Sequence, residues 1–92
     1  MEIRLSLKTV YCGIFIGSKM VARACVEKYS EDFWEIADVR TAKGFRNHGY
    51  AYQLCLFILA YVLSQNKTAT IRTEENNDTM QKVICKLGFK KL

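Results

Sequence analysis

At 92 residues, half of them apolar and 12% aromatic, the chain is long enough for one hydrophobic core and too apolar for a disordered segment. Fourteen Lys and Arg against nine Asp and Glu give a net charge of +5, which suits a polyanionic ligand. The basic residues are scattered from Arg4 to Lys91, with only Lys90 and Lys91 adjacent, so no basic arm of the nucleic-acid type is present and a nucleic-acid partner is not expected.

In chain order, "MEIRLSLKTV" is too polar for a signal peptide. The β-branched and aromatic run Val10 to Gly17 reads as a strand closed by the turn Gly17-Ser18-Lys19. Residues 20–29 alternate as a returning strand, and residues 33–39 form a third after the polar break Ser30-Glu31-Asp32. These three predict an antiparallel meander. An irregular stretch, 40–48, leads to a helix from Gly49 to about Gln65 that is apolar almost all round, which predicts full burial. Its apolar run is too short to cross a bilayer. "TATIRT" (68–73) is a short strand, so strand, helix and strand make a right-handed βαβ unit with 33–39 and 68–73 parallel. A last helix is capped by Asn77 or Asp78, carries Met80, Val83, Ile84 and Leu87 at helical spacing, and stops at Gly88. The fold class is α+β with a mixed sheet, one domain over residues 1–92.

Cys12, Cys25, Cys55 and Cys85 are separated by 12, 29 and 29 residues, with no C-x-x-C and a single histidine, His48. That spacing offers neither a zinc site nor a disulfide framework, so no metal is expected and each thiol reads as core. A reducing cytoplasm is the expected compartment, with no membrane contact.

Arg46, Gly49 and Ala51 stand in an R-x-x-G-x-A spacing where the apolar helix begins. A helix N-terminus has orphan N–H groups and partial positive charge, and small residues there admit an anion. A phosphate is the expected ligand. Beside the motif, His48 reads as an exposed loop side chain, and Tyr50 and Tyr52 as packing groups with wet hydroxyls.

The stretch from Trp34 to Phe89 resembles the GNAT superfamily of acyl-CoA-dependent N-acyltransferases. "FRNHGYA" matches the family's pyrophosphate motif Q/R-x-x-G-x-G/A, and "DVRTAKG" supplies the V-x-T that precedes it in one subgroup. "NDTMQKVICKLGF" matches the last family helix at Asn77, Lys86, Gly88 and Phe89. The resemblance implies acetyl-CoA as acyl donor and an amine acceptor. By it, the backbone between Arg46 and Ala51 (Asn47, His48, Gly49 and Tyr50 included) cradles the pyrophosphate. Val39 and Thr41 pair with the pantetheine arm, and Asn77 bonds that arm from the far wall.

The resemblance also marks departures. The family's thiol-protonating tyrosine falls at Ile84, which cannot donate, so either another group or the substrate's own ammonium protonates the thiolate, or turnover is low. A thiolate still leaves without much help, because its conjugate acid has a pKa of about 8.5. For the base, Glu35, Asp38, Glu74 and Glu75 are candidates and Glu35 is favoured; alternation along the strand sets Glu35 and Asp38 on opposite faces. Family members usually have one strand and two helices before the meander and two strands after the L-G-F turn. The reduced acceptor half implies a shallow groove, suited to a protein lysine or N-terminus. It also implies an open edge at 68–73 covered by a homodimer, through that edge or the Met80 to Leu87 helix face. A non-catalytic acyl-CoA-binding or protein-interaction module on the same fold is the alternative.

Overall fold

The computed structural model describes residues 9–73 and 77–89. Three antiparallel strands, β1 (Thr9–Ile16), β2 (Lys19–Glu27) and β3 (Phe33–Thr41), precede helix α1 (Tyr50–Ser64). Strand β4 (Thr68–Ile71) and helix α2 (Asp78–Leu87) follow. The sheet order is β1-β2-β3-β4, with β3 and β4 parallel, as the βαβ reading required. Gly17, at φ 62°, takes the position in the two-residue β1–β2 turn that demands a positive φ. The predicted bounds hold to within two residues, the largest differences being β3, which runs on to Thr41, and β4, which stops at Ile71.

One side of the sheet is the core. Ala22, Ala24 and Val26 from β2 and Trp34 and Ile36 from β3 meet Leu54, Cys55, Ile58 and Val62 of α1 and Met80 and Val83 of α2. The β2 wall is small because alanine at alternate positions lets α1 sit close to the strands. Trp34 is fixed by its indole N–H, which donates to the Ser30 carbonyl at 3.1 Å. Its ring lies 5.9 Å from that of Tyr61, with Lys28 Nζ at 4.4 Å from its centroid.

Four expectations are corrected. Helix α1 is not buried all round: Leu56, Phe57 and Leu63 are 46%, 65% and 56% exposed. A helix lying on one sheet buries one side, and among the described residues no second layer covers the other. Asp38 does not lie opposite Glu35. It takes φ 54° in a bulge between the Cys25↔Ala37 and Arg23↔Arg40 pairs, which shifts the alternation and sets its carboxylate on Arg23 and Arg40. The Met80 to Leu87 stripe is not free for a partner, since Met80 and Val83 are spent on the chain's own core. Lastly, Cys85 is exposed, whereas Cys25 and Cys55 are buried and Cys12 is half-buried.

The cysteines give a direct prediction. Burial pushes the Cys55 thiol up from 9.0 to about 11, and burial also raises Cys12 and, as the largest cause, Cys25. A raised thiol pKa favours the protonated folded state. The Cys55 contribution is therefore fully present below pH 9 and lost as pH rises towards 11. Under native conditions at pH 8, a thiol reagent followed by peptide mapping is expected to label Cys85 first and to spare Cys25 and Cys55. Early labelling of Cys55 would contradict the packing.

A cleft where the parallel strands part

Strands β3 and β4 pair only from Phe33↔Thr68 to Ile36↔Ile71. Beyond Ile36, β3 continues for five residues without β4 beside it. The bulge at Asp38 falls in this stretch and strengthens the local bend. Into the gap opens a cleft of about 810 Å³, within the usual range for a small-molecule site. Val39 and Thr41 form one side, the N-terminus of α1 the floor, and Asn77, Thr79, Met80 and Val83 of α2 the far wall.

The loop before α1 is built to expose backbone donors. Gly44, Asn47 and Gly49 hold left-handed conformations at φ 93°, 65° and 80°, turning the chain three times within six residues. Asparagine tolerates that region better than most side chains. Gly49 is the N-cap of α1, and no side chain caps the helix there. The first turn holds no acidic residue, so its orphan N–H groups and the helix dipole are unopposed. A Cβ built on Gly49 would meet nothing within 4 Å, so the space beside this N-cap is open. Arg46 is anchored at its root, its Nε donating to the Thr41 carbonyl at 3.1 Å, while its side chain lines the cleft. An anion fits this arrangement.

Further charge comes from Arg23 and Arg40, which also line the cleft. Both reach Asp38, at 3.5 and 2.7 Å. The Arg40 hydrogen bond holds the Asp38 carboxyl below its usual range and in turn raises Arg40. Among the described residues that line the cleft, none is a carboxylate.

The structure brings together Val39, Thr41, Arg46, Asn47, Gly49, Tyr50, Ala51 and Asn77 on this one cleft. His48 is exposed and outside it, its ring 5.8 Å from that of Tyr50. Asn77 caps α2, its Oδ1 accepting from the Met80 N–H at 3.1 Å; only its amide N–H groups remain for a ligand. Glu35 lies away from the cleft, four residues before Val39, beside Glu27 across the β2–β3 ladder. Arg72 Nη2 holds both its oxygens at 3.2 and 3.3 Å. Ile84 is half-buried, and Met80 and Val83 line the cleft in its place. Glu74 and Glu75 lie outside the described residues.

Sequence reasoning missed the β2 wall, Met20 to Arg23, together with Phe45 and Thr79. The β2 residues enter because Ala22 and Arg23 pair with Thr41 and Arg40 at the free end of β3, and the Ala42 N–H donates to the Val21 carbonyl. No residue pattern announces that pairing.

The comparisons agree with this geometry. The sequence model of the acetyltransferase (GNAT) family matches residues 3–89. No curated protein matches the chain by sequence. Among solved structures, a GNAT family acetyltransferase from Elizabethkingia anophelis with acetyl-CoA bound superposes with a TM-score of 0.86 at 14% identity, covering 99% of this chain and 60% of that one. The ribosomal-protein-S18-alanine N-acetyltransferase from Escherichia coli gives 0.82 at 12% identity, covering 92% and 55%. AAC(6')-Iy in complex with the bisubstrate analogue CoA-S-monomethyl-acetylneamine gives 0.78 at 18% identity, covering 91% and 63%. The chain thus spans between about half and two thirds of the length of these neighbours. A family match over nearly the whole sequence, on a sheet whose parallel strands part above an uncapped helix, leaves one assignment. The chain belongs to the GNAT acetyltransferase family.

Proposed function

We propose that the chain, as one domain over residues 1–92, is an N-acetyltransferase that moves an acetyl group from acetyl-CoA to an amine. The observation that carries this reading is the uncapped, acid-free N-terminus of α1 under Gly49 and Arg46, facing the gap where β3 leaves β4. The N–H groups from Arg46 to Ala51, those of Asn47 and His48 among them, hold the pyrophosphate. Val39 and Thr41, the strand positions past the parting, pair with the pantetheine amides as a missing strand would. Asn77 donates to the same arm from across the cleft.

The acceptor nitrogen attacks the thioester carbonyl, the C–S bond breaks, and the amine proton leaves to Glu35, directly or through water. The thiolate takes a proton from solvent or from the substrate ammonium. Glu35 faces the side of the sheet away from α1, where Tyr11, Phe15 and Phe33 are exposed. That open surface supports a protein lysine or N-terminus as acceptor over a small metabolite. Four free thiols support a reducing, cytoplasmic setting. Among the described residues, no helix is long and apolar enough to cross a membrane. We further propose a homodimer, which the exposed apolar surface of α1 supports.

The test is thiol release from acetyl-CoA in the presence of a lysine peptide, a free peptide N-terminus and a small polyamine. Release is expected with at least one of them. Glu35→Gln is expected to lower it by about 100-fold, the usual worth of a general base, with acetyl-CoA affinity unchanged. Binding without release for any amine would favour a non-catalytic acyl-CoA-binding or protein-interaction module, the reading to which Ile84 points.

A further inference from the structure

The outer side of α1 is unusual for a basic protein: the helix contains no charged residue from Tyr50 to Ser64. Its solvent-facing stripe is Gln53, Leu56, Phe57, Ala60, Leu63 and Ser64, all exposed. These positions recur at spacings of three and four residues over about three helical turns, the spacing of a helix that packs against another helix. Leu56, Phe57 and Leu63 alone leave roughly 300 Å² of apolar surface in water, the size at which an exposed patch is usually functional.

We infer that this stripe is the homodimer interface, with a second copy of the chain as its occupant and the two α1 helices antiparallel. The inference rests on the homodimer reading and assigns its surface. Charge selects the occupant. A chain carrying +5 repels its copy, and the exposed side of α1, a helix of 15 residues without a charged side chain, brings no like charges together at the contact. The pattern is self-complementary. A twofold axis between Phe57 and Ala60 sets each Phe57 over the small Ala60 of the second copy. The same axis lays Leu56 beside the opposing Leu63 on one flank. The two polar members, Gln53 and Ser64, then meet each other at both rims, giving an apolar centre and a polar edge. The unpaired edge of β4 competes poorly: it is four residues long, and short edge strands discourage pairing. The combined burial of roughly 600 Å² lies below that of a tight complex, so dissociation in the range of about 10–100 μM is expected.

Sedimentation equilibrium from 1 to 500 μM tests this. The parent is expected to pass from a 10.6 kDa species to twice that mass. Phe57→Glu is expected to weaken association at least 10-fold, with unchanged circular dichroism and unchanged acetyl-CoA affinity. That residue is 65% exposed and outside the cleft, so a failed interface and a failed cofactor site remain distinguishable. Gln53→Lys combined with Ser64→Glu adds opposite charges that face each other only in the antiparallel pair. The combination is expected to tighten the dimer several-fold at low salt, an effect lost at high salt. A monomer at every concentration overturns the proposal. So does a dimer that Phe57→Glu leaves intact, which would place the interface elsewhere. Binding of a monomeric parent to neutral phosphatidylcholine vesicles would also overturn it, in favour of a lipid surface.

Discussion

Gly49→Glu is expected to reduce acetyl-CoA binding at least 100-fold, while Arg46→Ala costs only about 3- to 10-fold. The glycine does two things that no other residue does there. It holds φ 80° as the N-cap of α1, a conformation that costs an ordinary L-residue about 1 kcal/mol or more. It also leaves open the space a side chain would occupy beside the helix N-terminus. Glutamate would fill that space with a chain and set a carboxylate where the pyrophosphate belongs, so sterics, like-charge repulsion and competition for the donors act together. Arg46 is exposed, and its Nε is already engaged by the Thr41 carbonyl. Its removal deletes one partly solvated charge, of modest worth. Calorimetric titration of both variants checks the ranking. A Gly49→Glu protein that bound like the parent would place the phosphates somewhere else.

The second large effect is on stability. Ile58 is fully buried on α1 in the cluster with Ala22, Ala24, Val26 and Ile36. Ile58→Ala removes three carbons from a wall of small β2 side chains that cannot swing in to close the gap. The expected loss is about 3 kcal/mol, from a total of roughly 5–14 kcal/mol for a domain of this length. A fall in Tm of roughly 12–20 °C follows. Its neighbour offers the control: Phe57→Ala on the outer side should change monomer stability by less than about 0.5 kcal/mol. Denaturant melts at low micromolar concentration, where the dimer is dissociated, measure both. Equal losses at 57 and 58 would mean that the outer side of α1 is covered within one chain.

The sequence made the skeleton legible because local signals were strong and consistent. Gly17, Asn77 and Gly88 each sit where a turn or cap needs them, and β-branched runs separated by polar breaks gave the strands. The βαβ order alone dictated the parallel pairing of β3 with β4. The cleft followed from Arg46, Gly49 and Asn77, whose roles are local. Failures arose where tertiary arrangement, and not residue type, decides. An all-apolar α1 reads as buried, yet burial depends on how many layers surround it. The bulge at Asp38 reverses alternation, and only the aspartate's tolerance of a left-handed backbone hints at it. The β2 wall enters the cleft through its pairing with the far end of β3, a register that no local pattern fixes. Glu35 reads from the sequence as a free strand carboxylate; its capture by Arg72, 37 residues away, is a long-range contact no window reveals.

The cleft is expected to bind acetyl-CoA through backbone donors at the α1 N-terminus. Titration of the 15N-labelled chain with acetyl-CoA, read as amide shift changes, tests it most directly. The largest changes are expected at the N–H groups of residues 46–51, followed by Val39 to Thr41 and then Asn77 to Met80, with little change at β1 or the outer side of α1. Dephospho-CoA, which keeps the pyrophosphate, should reproduce the 46–51 changes. Saturable binding whose shifts spare 46–51, or no binding at millimolar acetyl-CoA, would contradict the account.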